Sequence, residues 1–504
     1  MQPVSESIPD WLSHRAQSTP NRLALLCAAD RLTFAELDAA VDSASAFLAA
    51  DGVRPGDVIG IFARNGTPFV VAVHAIARLG AVLMPLNLRL TPLELAWQLR
   101  DAGAHRLLHD EAGRDMARTL RNEATPLHLI PIEGLTPPPG PLPVDGEGGP
   151  GGGVAFELAA THSLVYTSGT TGTPKGAILT YGNHLWSAIG SALNLGLRED
   201  DRWLACLPLF HVGGLAILLR GAIYGTTAVV HEGFDPARVN AAIDNDGITI
   251  VSVVANMLQR MLDERDGRSY PPWLRCVLLG GGPAPEPLLR RAASLGVPVV
   301  QTYGLTEAAS QVATLSPEDA LRKLGSAGKP LFGTELRIEG PDGEVLMADG
   351  QGEIVVRGPT ITPGYLNRPE ATAATIRDGW LHTGDIGYVD AEGYLYVLDR
   401  RDDLIVSGGE NVYPAEIEAV LQSHPDVLEA GVYGAPDERW GQVPVAAVVL
   451  RPGATVSPDA LMAHCRERLA AYKAPALIEL RNELPRNAAG KLLRRELANR
   501  PESR

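Results

Sequence analysis

SLVYTSGTTGTPKG, residues 163–176, is the stretch on which the fold turns. Ser163 to Tyr166 are β-compatible and run straight into glycine, serine and threonine, the pattern of a strand that ends in a loop. Such a loop suits phosphate. Gly169, Gly172 and Gly176 let backbone amides approach an anion with no Cβ in the way, while Thr167, Ser168, Thr170, Thr171 and Thr173 carry hydroxyl donors and Lys175 adds a positive charge. The spacing is not G-x-x-x-x-G-K-[ST], because Pro174 precedes the lysine and Gly176 follows it. A different nucleotide loop and a flexible linker are both open on these residues alone. The Pro-Lys end after a buried-strand pattern favours the loop.

The rest of the chain bounds the answer. Its 504 residues allow roughly two to four domains with ample core volume. Lys and Arg number 44 against 59 Asp and Glu, a net charge of −15, which excludes a nucleic-acid surface built on bulk charge but not a local pocket for an anion. Cys27, Cys206, Cys276 and Cys465 are scattered without a CxxC pair, so neither a disulfide framework nor a zinc site is expected. The first residues lack the basic and apolar regions of a signal peptide. The most apolar run, 69–90, is broken by His74, Arg78, Pro85 and Asn87, so no membrane span is expected and a cytoplasmic enzyme fits. Oligomeric state is not readable here, a homo-oligomer included.

The local patterns predict layered α/β structure. Asp10 is placed to cap a short helix, 22–27 and 32–34 have strand character, and Thr33 with Glu36 three residues later is a capping box for a helix to about Ala50. An apolar strand at 58–62, an apolar helix at 68–79 and a strand at 82–84 continue the alternation, which predicts a largely parallel sheet. Residues 136–153, TPPPGPLPVDGEGGPGGG, are too rich in Pro and Gly to bury a core and predict a surface connector. Strands follow at 203–209, 226–230, 249–254 and 275–279, the last running into Gly280, Gly281 and Gly282, where a tight turn and a ligand contact are equally open. A strand at 299–302 ends in Tyr303, Thr306 and Glu307, polar groups at a strand C-terminus where α/β sheets gather ligands. Strands at 336–338, 352–357 and 393–398 between turn residues predict a separate antiparallel section. The charge run 399–403 has the composition of a solvated turn. Beyond it, a helix opening at Tyr413-Pro414, strands at 430–433 and 443–450, and a helix from Ser457 to about Ala471 predict a small α+β domain.

Five ordered stretches, TSGTTGTPKG (167–176), YGLTE (303–307), GWLHTGD (379–385), DRRDDLIVSGGENVYPAEIE (399–418) and PRNAAGK (485–491), together resemble the adenylate-forming superfamily of acyl-CoA synthetases, peptide-synthetase adenylation domains and luciferases. The resemblance spans nearly the whole chain. It implies a large multi-layer N-terminal domain, 1–401, of α/β sheets plus a β-rich section that binds ATP and the acyl group. A small mobile α+β domain, 402–504, would follow, with Asp402 as the hinge. Within the superfamily, ALNLGLREDDRWLACLPLFHVGGL (192–215), LLGGGPAPEPLL (278–289) and SQVATLSPEDALRKLGSAGKPLF (310–332) resemble the 2-succinylbenzoate:CoA ligase family of menaquinone biosynthesis. Asn256 departs from that pattern, where a Thr or another small residue is expected. A fatty or aromatic acyl-CoA ligase and a module that loads a carrier protein are the alternative readings.

The resemblance also implies roles. A carboxylate becomes an acylating agent once AMP from ATP replaces its oxide leaving group, and the protein must hold the two in line and stabilise charge on phosphorus. Thr167, Ser168, Gly169, Thr170, Thr171 and Lys175 would grip the β- and γ-phosphates. Tyr303 would stack on adenine, Thr306 would contact the α-phosphate and Glu307 would hold Mg²⁺. Asp385, helped by Arg400, would accept from the ribose hydroxyls. Lys491 would bridge carboxylate and α-phosphate. His211, Ser252, Asn256, Gly280, Gly281, Gly282 and Gln311 would form the acyl pocket. For the second step the small domain would turn about Asp402, withdraw Lys491 and present Gly408, Gly409 and Glu410 to the channel for CoA. Lys491→Ala is therefore predicted to abolish acyl-adenylate formation and to spare thioester formation from a supplied adenylate; equal loss of both half-reactions in rapid-quench assays would contradict that division.

Overall fold

The computed structural model describes residues 7–123, 126–135, 155–167, 174–282, 284, 286–399, 405–485 and 494–498. The connector predicted at 136–153 lies outside them. Two large sheets face each other across one apolar core. The first has six strands in the order Lys175–Thr180, Thr161–Thr167, Val82–Pro85, Val58–Phe62, Arg106–His109 and His128–Pro131, parallel except for the hairpin that opens the series. The second has nine, and its six inner strands, from Val299–Leu305 through Cys276–Leu279, Ile250–Val253, Arg202–Ala205 and Thr227–Val230 to Leu23–Cys27, are all parallel. Parallel strands must be covered on both faces, and their continuous apolar composition meets that need.

The helix Thr67–Arg78 shows how the core closes. Its sequence, TPFVVAVHAIAR, is apolar all round, and every residue but Pro68 is buried. It belongs to one cluster with Ile59, Ile61 and Leu83 of the first sheet and Leu25, Ala205 and Val230 of the second. Neighbouring helices are fixed by local chemistry. Thr33 and Glu36 form the expected capping box at the helix Phe34–Ala50, and Thr91 with Glu94 forms another at Pro92–Asp101.

The β-rich section is the antiparallel set Glu335–Glu339, Gly352–Arg357, Trp380–Val389 and Ile376–Arg377, with Leu395–Asp399 on Trp380–Val389. From Ile405 the chain builds its own sheet, Glu410–Val412, Ile405–Ser407, Gly441–Leu450 and Val427–Asp437, to which Leu477–Leu480 adds in parallel. The helices Pro414–Gln422 and Pro458–Arg468 cover it through Ile417, Leu421, Leu461 and Cys465, all fully buried. The second of these helices stops at Arg468, short of Ala471, and the strand expected at 203–209 is Arg202–Ala205.

One strand is longer than its composition suggests. Val299–Leu305 runs through Tyr303 and Gly304 because it pairs antiparallel with Ser310–Thr314. The approach is close enough to require glycine: a Cβ on Gly304 would lie 1.8 Å from the Ser310 carbonyl oxygen. Among the described residues no helix is long and apolar enough to cross a membrane. The four cysteines are free and buried, and burial pushes Cys206 and Cys276 up to about 12 and Cys465 to about 11.

Three buried histidines tie stability to pH. Burial holds His184 down at about 3, with the Arg220 charge adding to it, and His74 at about 4; His162 is also held well below its ordinary value. His184 Nε2 has the Ser163 hydroxyl at 3.0 Å, whereas neither ring nitrogen of His162 has a partner among the described residues. All three stay neutral in the folded chain while the unfolded chain takes up their protons near 6.5, so stability is full above that value and falls as pH drops through it. Each contributes a slope of up to about 1.4 kcal/mol per pH unit. We predict that Tm falls between about pH 7 and about pH 5, and that His184→Gln flattens the fall by roughly one proton. An unchanged slope in differential scanning calorimetry would contradict this account.

Candidate active site

A cavity of about 410 Å³ opens where the two large sheets, the β-rich section and the small domain meet. Its walls come from strand ends, as the parallel topology dictates. Thr167 and Lys175 face each other in register across the hairpin that carries the phosphate-suited loop. Thr306 and Glu307 follow the strand Val299–Leu305, Asp385 lies on Trp380–Val389, and Gly280 and Gly281 follow Cys276–Leu279; all of these line the cavity. Gly281 takes φ +80°, and a Cβ on Gly280 would lie 2.9 Å from Thr302 Cγ2. The glycines thus make both a tight turn and a flat wall.

On the nucleotide side, Tyr365 organises the polar groups. Its hydroxyl donates to Glu307 Oε1 at 2.7 Å, and Lys175 Nζ sits 5.3 Å above its ring. Burial first, and then Glu307, pushes the Tyr365 phenol far up, so it stays a donor. Tyr303 is buried and outside the lining; its hydroxyl donates to Asp385 Oδ2 at 2.6 Å. Ser168, Gly169, Thr170, Thr171, Arg400, Asp402 and Lys491 lie outside the described residues.

Of the residues expected to form an acyl pocket, His211, Ser252, Gly280, Gly281 and Gln311 line the cavity. Ser252 Oγ accepts from Trp203 Nε1 at 2.9 Å, and Gln311 Nε2 donates to Thr314 Oγ1 at 3.0 Å while its Oε1 has no partner among the described residues. Gly282 and Asn256 stand apart from the lining, against the small domain: Gly282 meets Val406, and Asn256 Nδ2 donates to the Arg439 carbonyl at 3.1 Å. Arg220 was not singled out by sequence. It is 2% exposed, lines the cavity and has no ion pair among the described residues. One terminal nitrogen donates to Ser187 Oγ at 3.2 Å, the guanidinium lies 5.4 Å from the Trp203 ring, and Nε has no partner among the described residues. Burial lowers its pKa accordingly. Its signal was present: it is the one charged residue in the helix VGGLAILLRGAIY.

On the third side the turn Gly408-Gly409, with φ of +59° and +86°, points Glu410 into the cavity. The Glu410 side chain is 5% exposed and meets His211 Nε2 at 3.0 Å and Arg89 at 3.3 Å. Burial pushes this carboxyl up, but His211, Arg89 and Lys473 together hold it below the ordinary carboxylate range.

The AMP-binding enzyme family matches residues 12–366, and the AMP-binding enzyme C-terminal domain matches 416–491. The chain is 52% identical over 491 residues to the 2-succinylbenzoate–CoA ligase of Geobacillus kaustophilus, with 97% of each chain covered. It superposes with a TM-score of 0.90 and 46% identity on a double mutant of o-succinylbenzoate CoA synthetase from Bacillus subtilis bound to a product analogue, covering 98% of this chain and 99% of that one. Against the same synthetase in complex with its acyl-adenylate intermediate, identity is again 46% with 99% of each chain covered, but the TM-score is 0.74. Matched over well more than half its length, and built as a large N-terminal part with a small C-terminal one, the chain belongs to the AMP-binding enzyme family.

Proposed function

We propose that this chain ligates 2-succinylbenzoate to coenzyme A in two steps. The carboxylate first attacks the α-phosphorus of ATP, giving the acyl adenylate and pyrophosphate. The CoA thiol then attacks the acyl carbon and AMP leaves. Relatives of this name, matched over nearly their whole length, support the reading. The observation that carries the choice of acid is Arg220. A buried cation with no protein anion is costly, and an aromatic acid with a second carboxylate supplies the missing charge at the cavity floor. Gln311 and Ser252 stand beside that floor, and the glycine wall leaves room for a flat ring.

Lys175, Thr167 and the hydroxyls of Ser168, Thr170 and Thr171 would hold the departing pyrophosphate, and Asp385, kept in place by the Tyr303 hydroxyl, the ribose. Among the described residues no group of three or more His, Cys, Asp or Glu is placed to hold a metal. Glu307 alone, anchored through one oxygen by Tyr365, suits Mg²⁺, which takes one or two carboxylates and fills its shell with phosphate oxygens and water. Bound there, the ion would neutralise phosphate charge.

The small domain stands in the arrangement for thiol transfer. Its Gly408-Gly409 turn forms a wall of the cavity, and the higher TM-score to the product-analogue complex than to the adenylate complex, at equal identity, supports this. Turning about Asp402, at a boundary between 1–401 and 402–504, would exchange that wall for Lys491 in the adenylation step. The cytoplasm, where ATP and CoA are at hand, is the setting of this proposal.

Pyrophosphate exchange should respond to 2-succinylbenzoate and not to benzoate, fatty acids or amino acids; exchange driven by a fatty acid alone would sink the substrate assignment. Arg220→Met should raise KM for 2-succinylbenzoate by about 30-fold or more and leave KM for ATP unchanged. The same variant should raise Tm of the free protein, since it removes an unpaired buried charge. A variant that loses ATP affinity and acid affinity in parallel would show that Arg220 only supports the fold.

A further inference from the structure

The small domain docks through a second charged contact, beside Glu410 but with different partners. Lys473 is 3% exposed in its side chain, and its Nζ lies 2.7 Å from Glu94 Oε1 and 2.8 Å from Glu416 Oε1. Glu416 is on the small-domain helix Pro414–Gln422, whereas Glu94 is on the large-domain helix Pro92–Asp101. Glu94 is already engaged: its Oε2 accepts from the Thr91 amide and hydroxyl, both at 2.8 Å, as the acid of the capping box. One carboxylate therefore closes its own helix with one oxygen and grips the other domain with the second. Thr91 Oγ1 also donates to the Arg468 carbonyl at 3.3 Å, and Asn87 Nδ2 to the Tyr472 hydroxyl at 3.3 Å, so the whole N-terminal end of this helix is a docking face.

The charges suit a contact that forms and releases. Lys473 is shared by two carboxylates, and Glu416 Oε2 has no partner among the described residues. When the small domain leaves, Lys473 keeps Glu416, while Glu94 keeps its capping box and returns its free oxygen to water. The Glu94 contact thus exists in one arrangement only. A contact made in one of two states biases the equilibrium between them by its full differential energy. We infer that Glu94 is a positioning residue for thiol transfer: through Lys473 it holds the small domain in the arrangement that faces the cavity. The inference rests on the two-step reading above.

Glu94→Gln separates this role from a structural one, because glutamine also serves in a capping box but does not pair with a buried ammonium as a carboxylate does. In the full chain, pyrophosphate exchange with 2-succinylbenzoate should stay within about twofold of the unaltered protein, while thioester formation from supplied acyl adenylate and CoA should slow about tenfold. Lys473→Met should slow the same step, and the double variant should be no slower than Lys473→Met alone. Thioester formation at the original rate in Glu94→Gln, or both half-reactions falling equally, would overturn the inference. If the unaltered chain exchanges pyrophosphate only with another acid, the substrate assignment fails and the Glu94 comparison is made with that acid.

Discussion

A buried carboxylate must be matched, and Glu410 finds its partners in the other domain. His211 and Arg89 both belong to the large domain, and without them a side chain at 5% exposure would keep only Lys473 as a nearby cation. Charges on the large domain thus help to set the position of the small one, and one wall of the cavity is built where they meet. His211 stands at the joint, touching Glu410 on one side and lining the cavity on the other.

The floor of the cavity follows a different rule. There the chain tolerates groups that are poorly satisfied: the Arg220 Nε and the Gln311 Oε1 have no partner among the described residues. Such groups are costly in a finished core and useful in a site that a polar ligand completes. The apolar body around them offsets the cost, since the helix Val212–Tyr224 is buried along most of its length. Rigidity comes from close backbone approach, at Gly304 against Ser310 and at Gly280 against Thr302.

Local signals in the chain were legible because they act over three or four residues. The Thr33 and Glu36 capping box, the apolar helix at 67–78 and the alternation of strands and helices all follow from such spacings. The polar residues at strand ends were legible too, once the motifs were taken together. What was hidden depends on distance along the chain. Glu94 and Lys473 are 379 positions apart, and Glu94 on its own reads only as the acid of a capping box. Tyr365 met Glu307 across the β-rich section, with no pattern in its neighbourhood to mark it. Arg220 was readable in principle, as a lone charge in an apolar helix, but its meaning needed the cavity beside it. Tyr303 shows the limit of such a reading: expected just past a strand end and against adenine, it lies within the strand, buried outside the lining, with its hydroxyl on Asp385.

The buried cysteines have a bearing on the chemistry itself. An acyl adenylate is an electrophile that any thiolate will intercept, and the enzyme generates it in order to deliver it to one external thiol. Cys206 lies next to the acyl pocket, its sulfur 3.6 Å from the Ser252 carbonyl oxygen. Burial pushes it up to about 12, so at neutral pH it is a protonated, inaccessible sulfhydryl and no competitor for the acyl group. The same holds for Cys276 and Cys465. By enclosing its own sulfur, the protein protects itself from acylation and leaves the activated acid to the external thiol.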